Sequence, residues 1–379
     1  MALVLSEEQE LLRETAREFL QEKAPVSQLR GLRDSVDADG FSREVWSELA
    51  ELGWAGIPFP EEYGGADLGQ TELGIVFEEC GRNLVATPLF SSVVLSGSAV
   101  LLGGTEPQRK EVLTAIASGE RIVALALQEG PRHAPYAIDT RATAAGEGYR
   151  LDGSKAFVLD GHVADQFIVV ARTSGEVGDR SGLTLFLVDA GASGLSVSRT
   201  IMVDGRNAAR VELVGVEVGR DAILGVVDDG AALLDPVLDR GAAVLAAEML
   251  GMIEVAFEKT LDYLKQRQQF GVPIGSFQAL KHRAARMFVA RENARSVVLD
   301  ALHAIDADAE RASQKASLAK AQLSEAAFLV CNEGVQMHGG IGVTDEEDIG
   351  LYLKRARAAQ FSLGDASFHR ARWASLRGY

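Results

Sequence analysis

Arg267-Gln268-Gln269-Phe270-Gly271-Val272-Pro273-Ile274, with Phe277-Gln278 close behind, is the stretch from which the rest of the chain can be organised. Upstream of it, Leu250, Ile253, Phe257, Leu261 and Leu264 recur at spacings of three and four, the mark of one buried face of a long helix. Gly271 and Pro273 are expected to end that helix, with Arg267 in its last turn, where a cation complements the carbonyl end. Downstream, Met287, Ala294, Val298, Ala301 and Ile305 predict a second helix, Ala312 to Cys331 a third and Ile349 to Trp373 a fourth. Four long helices in succession predict an antiparallel bundle. Between the third and fourth lies Gln336-Met337-His338-Gly339-Gly340-Ile341-Gly342. Its glycines can close a helix through a tight turn, and they would also let backbone amides approach phosphate oxygens.

Ahead of residue 231 the pattern differs. Leu5-Ser6-Glu7-Glu8-Gln9 predicts a helix start, because Ser6 can accept from the third helical residue while Gln9 reaches back. Val45, Trp46, Leu49 and Leu52, then Leu73, Val76, Phe77 and Cys80, predict two more helices, with Pro58-Phe59-Pro60 and Gly64-Gly65 turning the chain between them. Near residue 121 the period shortens. Ile122 to Leu127, Phe167 to Ala171, Leu183 to Val188 and Arg210 to Val214 are branched-residue-rich runs bounded by glycine, and read as strands. The expected fold class is therefore α+β: an N-terminal α-helical domain over 1–120, a middle β domain over 121–230 and a C-terminal helical-bundle domain over 231–379.

Composition excludes several function classes. The chain has 379 residues, 47% of them hydrophobic and 24% charged, so it can bury a large core in two or three structural units. A net charge of −16 would repel a nucleic-acid backbone and an anionic membrane, so neither is expected as a partner. Cys80 and Cys331 are far apart and each sits in an apolar helical pattern, which fits buried thiols in a reducing compartment better than a bridge. No metal-ligand spacing is present, and no metal is expected. The N-terminus lacks a signal-peptide pattern and no run of about 18 apolar residues occurs, so a cytoplasmic location is expected.

The two glycine-bearing motifs, their separation and the order helical, strand, helical together resemble the acyl-CoA dehydrogenase family across essentially the whole chain. The resemblance implies the cofactor FAD, with Arg267, Gln269 and Phe270 at its adenine and pyrophosphate half, Gln278 at the adenylate end, and Gln336, Gly339 and Gly340 completing that half across a subunit boundary. Taken alone, each motif is also explained by ordinary helix capping. Toward the flavin ring the family pattern is eroded. Leu127-Gln128-Glu129-Gly130-Pro131-Arg132-His133 stands where the family has Thr-Glu-Pro-x-Ala-Gly-Ser-Asp, so Gln128 replaces a hydroxyl that serves the flavin, and no Ser-Asp follows for the pantetheine arm. In Gly153-Ser154-Lys155-Ala156-Phe157-Val158, Phe157 fits the family's flavin-side aromatic, with a half-buried strand aromatic as the bland alternative, while Leu159 stands where a hydroxyl is expected.

The family's reaction removes an α proton with a glutamate while flavin takes the β hydride. By ungapped counting, the commonest position of that glutamate is Leu363, in Ser362-Leu363-Gly364-Asp365, and the rarer one, on the first bundle helix, is Gly241, followed by Ala242. Neither can take a proton. Asp239 lies two residues from the second position, roughly 200° around a helix from it, and Glu248 two turns along; either is a weak candidate, with an ion-paired or solvated carboxylate as the bland reading. The expectation is FAD-dependent α,β-dehydrogenation of an acyl-CoA, with this chain as the base-lacking subunit of an α2β2 heterotetramer like those acting on steroid side chains, and with an electron-transfer flavoprotein as acceptor. A homotetramer with a relocated base, a flavin monooxygenase on the same fold and a flavin-free structural subunit remain open at this stage.

Overall fold

A computed structural model describes residues 4–379. The chain forms two compact units, one made of the residues up to Arg30, Gln70–Val85 and Ala242–Tyr379, the other of Gly31–Gly69 and Ala86–Gly241.

The first unit is helical. It holds α1 (Glu7–Lys23) and α4 (Gln70–Asn83); α2 (Val26–Asp34) and α3 (Arg43–Glu51) lie between them in chain order. The capping box foreseen at Ser6 is present: its hydroxyl accepts from the Gln9 amide at 3.2 Å and its own amide donates to Gln9 Oε1 at 3.0 Å. α4 packs backbone to backbone on a later helix, α7 (Gly230–Gln266), which follows α5 (Ser98–Gly103) and α6 (Glu106–Ala117). A Cβ added at Gly81 would meet the Glu248 carbonyl at 2.0 Å, and one at Gly251 would meet the Glu78 carbonyl at 1.9 Å. Those two glycines set the helix separation. The rest of the unit is α8 (Gln278–Asp306), α9 (Ala312–His338), α10 (Ile349–Phe361) and α11 (Ala366–Leu376).

Two features of this bundle differ from the sequence expectation. The long helix ends at Gln266, not at Gly271, so Arg267 is the first residue beyond it, its amide still bonded to the Tyr263 carbonyl at 2.8 Å. Gly271 is a turn residue instead. Phe270 (φ +55°) and Gly271 (φ +78°) form a two-residue turn between extended Gln268–Gln269 and Val272–Pro273, and two positive φ values in succession are what a tight hairpin needs. The predicted fourth helix is also two helices. Ser362 is extended, Leu363 has φ +56° and Gly364 φ +102°, after which Asp365 caps α11 by accepting from the Phe368 amide at 2.8 Å.

The second unit is built on a sheet of β1 (Val123–Ala126), β2 (Arg141–Ala145), β3 (Gly148–Leu159), β4 (Gln166–Arg172), β5 (Leu183–Asp189), β6 (Leu195–Ile201), β7 (Asn207–Val218) and β8 (Ile223–Leu224). The order is β6-β7-β3-β2-β4-β5-β8, with β1 parallel to β4. Phe167, Val169, Phe186, Leu151 and Val211 fill its core. All four predicted strands are present. β2 and β6 gave no apolar run because most of their side chains face solvent. The hairpin strands of the bundle are β9 (Gln268–Gln269) and β10 (Val272–Pro273).

Candidate cofactor and substrate site

On the bundle, the residues singled out in the sequence form an exposed rim. Arg267, Gln269, Phe270, Gln278, Gln336, Gly339 and Gly340 are all solvent-exposed, Phe270 to 91%. The Arg267 guanidinium has no partner among the described residues. A planar, permanently charged fork left free beside an exposed aromatic suits a pyrophosphate. Phe277 meets Phe270 edge to face at 6.0 Å, steadying the hairpin tip. One contact joins the two motifs: His338 stacks on Tyr263, one turn before Arg267, at 4.5 Å. Gly339 takes φ +65°, ψ −139°, a region closed to side chains, and a Cβ there or at Gly340 would meet nothing within 4 Å. The glycines therefore leave open space over exposed backbone, which fits a dinucleotide.

In the sheet unit, Leu127 is buried and Gln128 half-buried directly after β1. Both are pinned to β3: the Leu127 carbonyl accepts from Lys155 Nζ at 3.3 Å and the Gln128 carbonyl from the Ala156 amide at 2.7 Å. The Gln128 side chain turns back to donate to the Gly130 carbonyl at 2.9 Å. Phe157 is not an ordinary strand aromatic. It sits in an irregularity of the β3–β7 ladder between Lys155 and Val158, has φ +52° and is 48% exposed. A bulge that re-aims a large side chain into the open is a feature with a use.

Sequence reasoning missed the pair that builds this segment. Lys155 is fully buried and ion-paired with Glu129 at 2.6 Å, and Glu129 also accepts from the Asp139 amide at 2.6 Å, the Thr140 hydroxyl at 2.6 Å and the Thr140 amide at 3.1 Å. Burial would raise the Glu129 pKa, but the Lys155 ammonium and these donors bring it below the ordinary value. Burial pushes Lys155 down to about 8 against the pull of Glu129. A lysine inside an apolar strand pattern, with a glutamate just after another strand, was the available signal.

The carboxylate question resolves residue by residue. Leu363 is half-buried in the break between α10 and α11, and its left-handed backbone is disfavoured for any side chain. Gly241 is buried in α7. Glu248 is fully buried and paired with Arg355 through Nε at 3.0 Å and Nη2 at 2.9 Å. That fork-to-fork geometry occupies both carboxylate oxygens, the ion-paired alternative foreseen for it. Asp239 is 6% exposed on the same helix. Both cysteines are buried and in no disulfide, and burial pushes the Cys331 thiol up to about 12. Among the described residues no helix is long and apolar enough to cross a membrane, and no cluster of metal-binding side chains occurs.

The N-terminal, middle and C-terminal domains of acyl-CoA dehydrogenase match residues 6–120, 129–216 and 228–375. The chain belongs to the acyl-CoA dehydrogenase family, flavoprotein oxidoreductases acting on CH-CH groups. It is 32% identical over 347 residues to a 3-(aryl)acrylate reductase of Clostridium sporogenes, covering 90% of each chain. Among solved structures it is similar to a variant of the Tcur3481-Tcur3483 steroid ACAD, with TM-score 0.88, 32% identity and 98% of each chain covered. It is also similar to a chain of the ChsE4-ChsE5 complex of Mycobacterium tuberculosis, with TM-score 0.89, 28% identity and 100% and 99% coverage.

Proposed function

We propose that this chain binds FAD and serves in α,β-dehydrogenation of an acyl-CoA thioester as the subunit that lacks the proton-abstracting glutamate, its partner being a second chain of the same family in an α2β2 tetramer. The single observation that carries this reading is Leu363: a strained, glycine-followed backbone at the family's commonest base position carries a side chain that cannot accept a proton. An apolar side chain at the base position is what a spare copy of a site would leave.

FAD, when bound, supplies the acceptor for the β hydride. Arg267 would pair with the pyrophosphate, with Gln269, Phe270 and Gln278 toward the adenylate, and Gln336, Gly339 and Gly340 would offer backbone and amide contacts. Leu127, Gln128 and Phe157 would line the flavin side. There Gln128 and Leu159 replace hydroxyls, so this chain's own hold on the ring is weak. Electrons would leave to an electron-transfer flavoprotein. A bulky acyl group, of the steroid side-chain kind, is supported by the likeness to a steroid acyl-CoA dehydrogenase.

Flavin content tests the reading. The purified chain alone is expected to carry less than one FAD per chain by flavin absorbance, rising on co-expression with its partner. Full occupancy retained by the lone chain through gel filtration would overturn the partner-subunit assignment. Anaerobic bleaching of the complex's flavin by an acyl-CoA is expected; bleaching only by nicotinamide or a flavin reductase would indicate a monooxygenase.

A further inference from the structure

Lys320 on α9 is fully buried. Its ammonium has three donors and the fold supplies three acceptors: Ser324 Oγ at 3.2 Å, the Gln360 carbonyl at 3.1 Å and the Gly364 carbonyl at 2.8 Å. Ser324 donates its own proton to the Lys320 carbonyl at 2.7 Å, which leaves its lone pairs for the ammonium. Gln360 lies in the last turn of α10, whose carbonyls lack helical partners, and Gly364 lies just before α11. One ammonium therefore ties both sides of the break that contains residue 363. The Leu363 carbonyl is held too, accepting from His369 Nε2 at 2.9 Å.

None of the Lys320 hydrogen-bond partners is a carboxylate, and a buried ammonium without an ion pair is costly. Burial pushes its pKa down to about 7, Asp365 opposing the shift and Arg355 adding to it. A hydrophobic residue would fill the space at less cost, so the three bonds to this break need a reason.

We propose that Lys320 is a positioning residue that clamps the ends of α10 and α11 and so holds the side chain of residue 363 in one place. Its meaning for catalysis rests on reading residue 363 as the family's base position; the clamp itself does not.

The test measures amide hydrogen exchange on the full chain together with turnover in a Leu363→Glu background. Lys320→Met keeps the stem and removes the donors. It is expected to speed exchange over 362–366 by at least about tenfold, since the bonds to the Gln360 and Gly364 carbonyls on either side of the break are lost, while the body of α9 changes far less. Lys320→Gln, which keeps N–H donors, is expected to recover part of the protection, and replaces the Met variant in the comparison with the parent if that variant does not fold. In the Leu363→Glu chain, Lys320→Met is expected to lower kcat by about tenfold or more at unchanged KM and flavin content, the signature of misplacement rather than lost binding. Unchanged loop exchange, or acceleration spread evenly over α9 to α11, would overturn the proposal. Should Leu363→Glu turn over no acyl-CoA while loop exchange responds as expected, the clamp stands and the base-position reading falls.

Discussion

Replacing Lys155 with methionine should damage the sheet unit more than any exposed substitution, and the structure sets the size. The side chain has no exposed surface, its partner Glu129 is 15% exposed, and they meet at 2.6 Å. Methionine keeps the apolar stem, so the loss is electrostatic. Removing one partner of a buried pair costs about 3–5 kcal/mol, because a desolvated charge is left behind. Glu129 would keep its bonds from Asp139 and Thr140, which places the cost near the lower end, about 3 kcal/mol. At about 2–4 °C per kcal/mol for a domain of this size, the melting temperature should fall by roughly 6–12 °C. Because the folded Glu129 pKa is depressed, its contribution is present above the ordinary value of 4.5 and lost as the pH falls through the folded value; the deficit should shrink in acid. Thermal unfolding by circular dichroism measures the loss. Adding Glu129→Gln should recover much of it, since the amide still accepts from Thr140 but carries no charge. A single-variant cost under about 1 kcal/mol, or a double variant no better than the single, would refute the reasoning.

Glu78, on α4, is pushed up to about 7 by burial and by the nearby charges of Glu254 and Glu79, against the pull of Arg295 and Arg13. The folded chain then holds this proton more tightly than the unfolded one, so its contribution is full below 4.5 and is lost as the pH rises through about 7. Glu78→Gln should therefore stabilise the chain by about 1–3 kcal/mol at pH 8 and have little effect at pH 4, read from urea midpoints; equal effects at both would sink the argument. Arg267→Ala should weaken FAD binding in the assembled enzyme by about 1.5–3 kcal/mol without shifting the melting temperature of the flavin-free chain, because the side chain lies outside α7. Unchanged affinity by flavin titration would reduce Arg267 to a helix-end cation.

The long buried elements were legible in two ways: Leu250 to Leu264 on α7 by the spacing that one buried face imposes, and Phe167 to Ala171 in β4, buried on both faces, as a continuous apolar run. The exposed strands β2 and β6 left no such trace. The hairpin at Phe270-Gly271 was hidden because glycine and proline after a helix predict a stop equally well whether a cap or a turn follows. The break at Leu363 was hidden because a leucine says nothing about a positive φ, which only the surrounding bonds impose. The same holds at the site. Exposed Arg267 and Gln336 announce themselves by motif, whereas the Glu129–Lys155 pair depends on segments brought together from 26 residues apart. Among the described residues five apolar ones have positive φ; Phe157, Phe270 and Leu363 stand at positions the motifs had marked, whereas Val36 and Leu84 do not. Strained backbone alone therefore marks no site; its coincidence with a motif at Phe157, Phe270 and Leu363 is the physical reason to single out those three positions.

The most direct test compares the parent chain and its Leu363→Glu variant, each free of any partner and saturated with added FAD, for exchange of the acyl-CoA α proton with D2O. Leucine and glutamate meet the same backbone strain at φ +56°, so the variant needs no new backbone feature, and its folding is checked by thermal melting because a partly buried carboxylate can destabilise. The account predicts no exchange by the parent and measurable exchange, with flavin bleaching, by the variant. Exchange catalysed by the parent chain alone, or a folded, flavin-loaded variant that exchanges nothing, would contradict it.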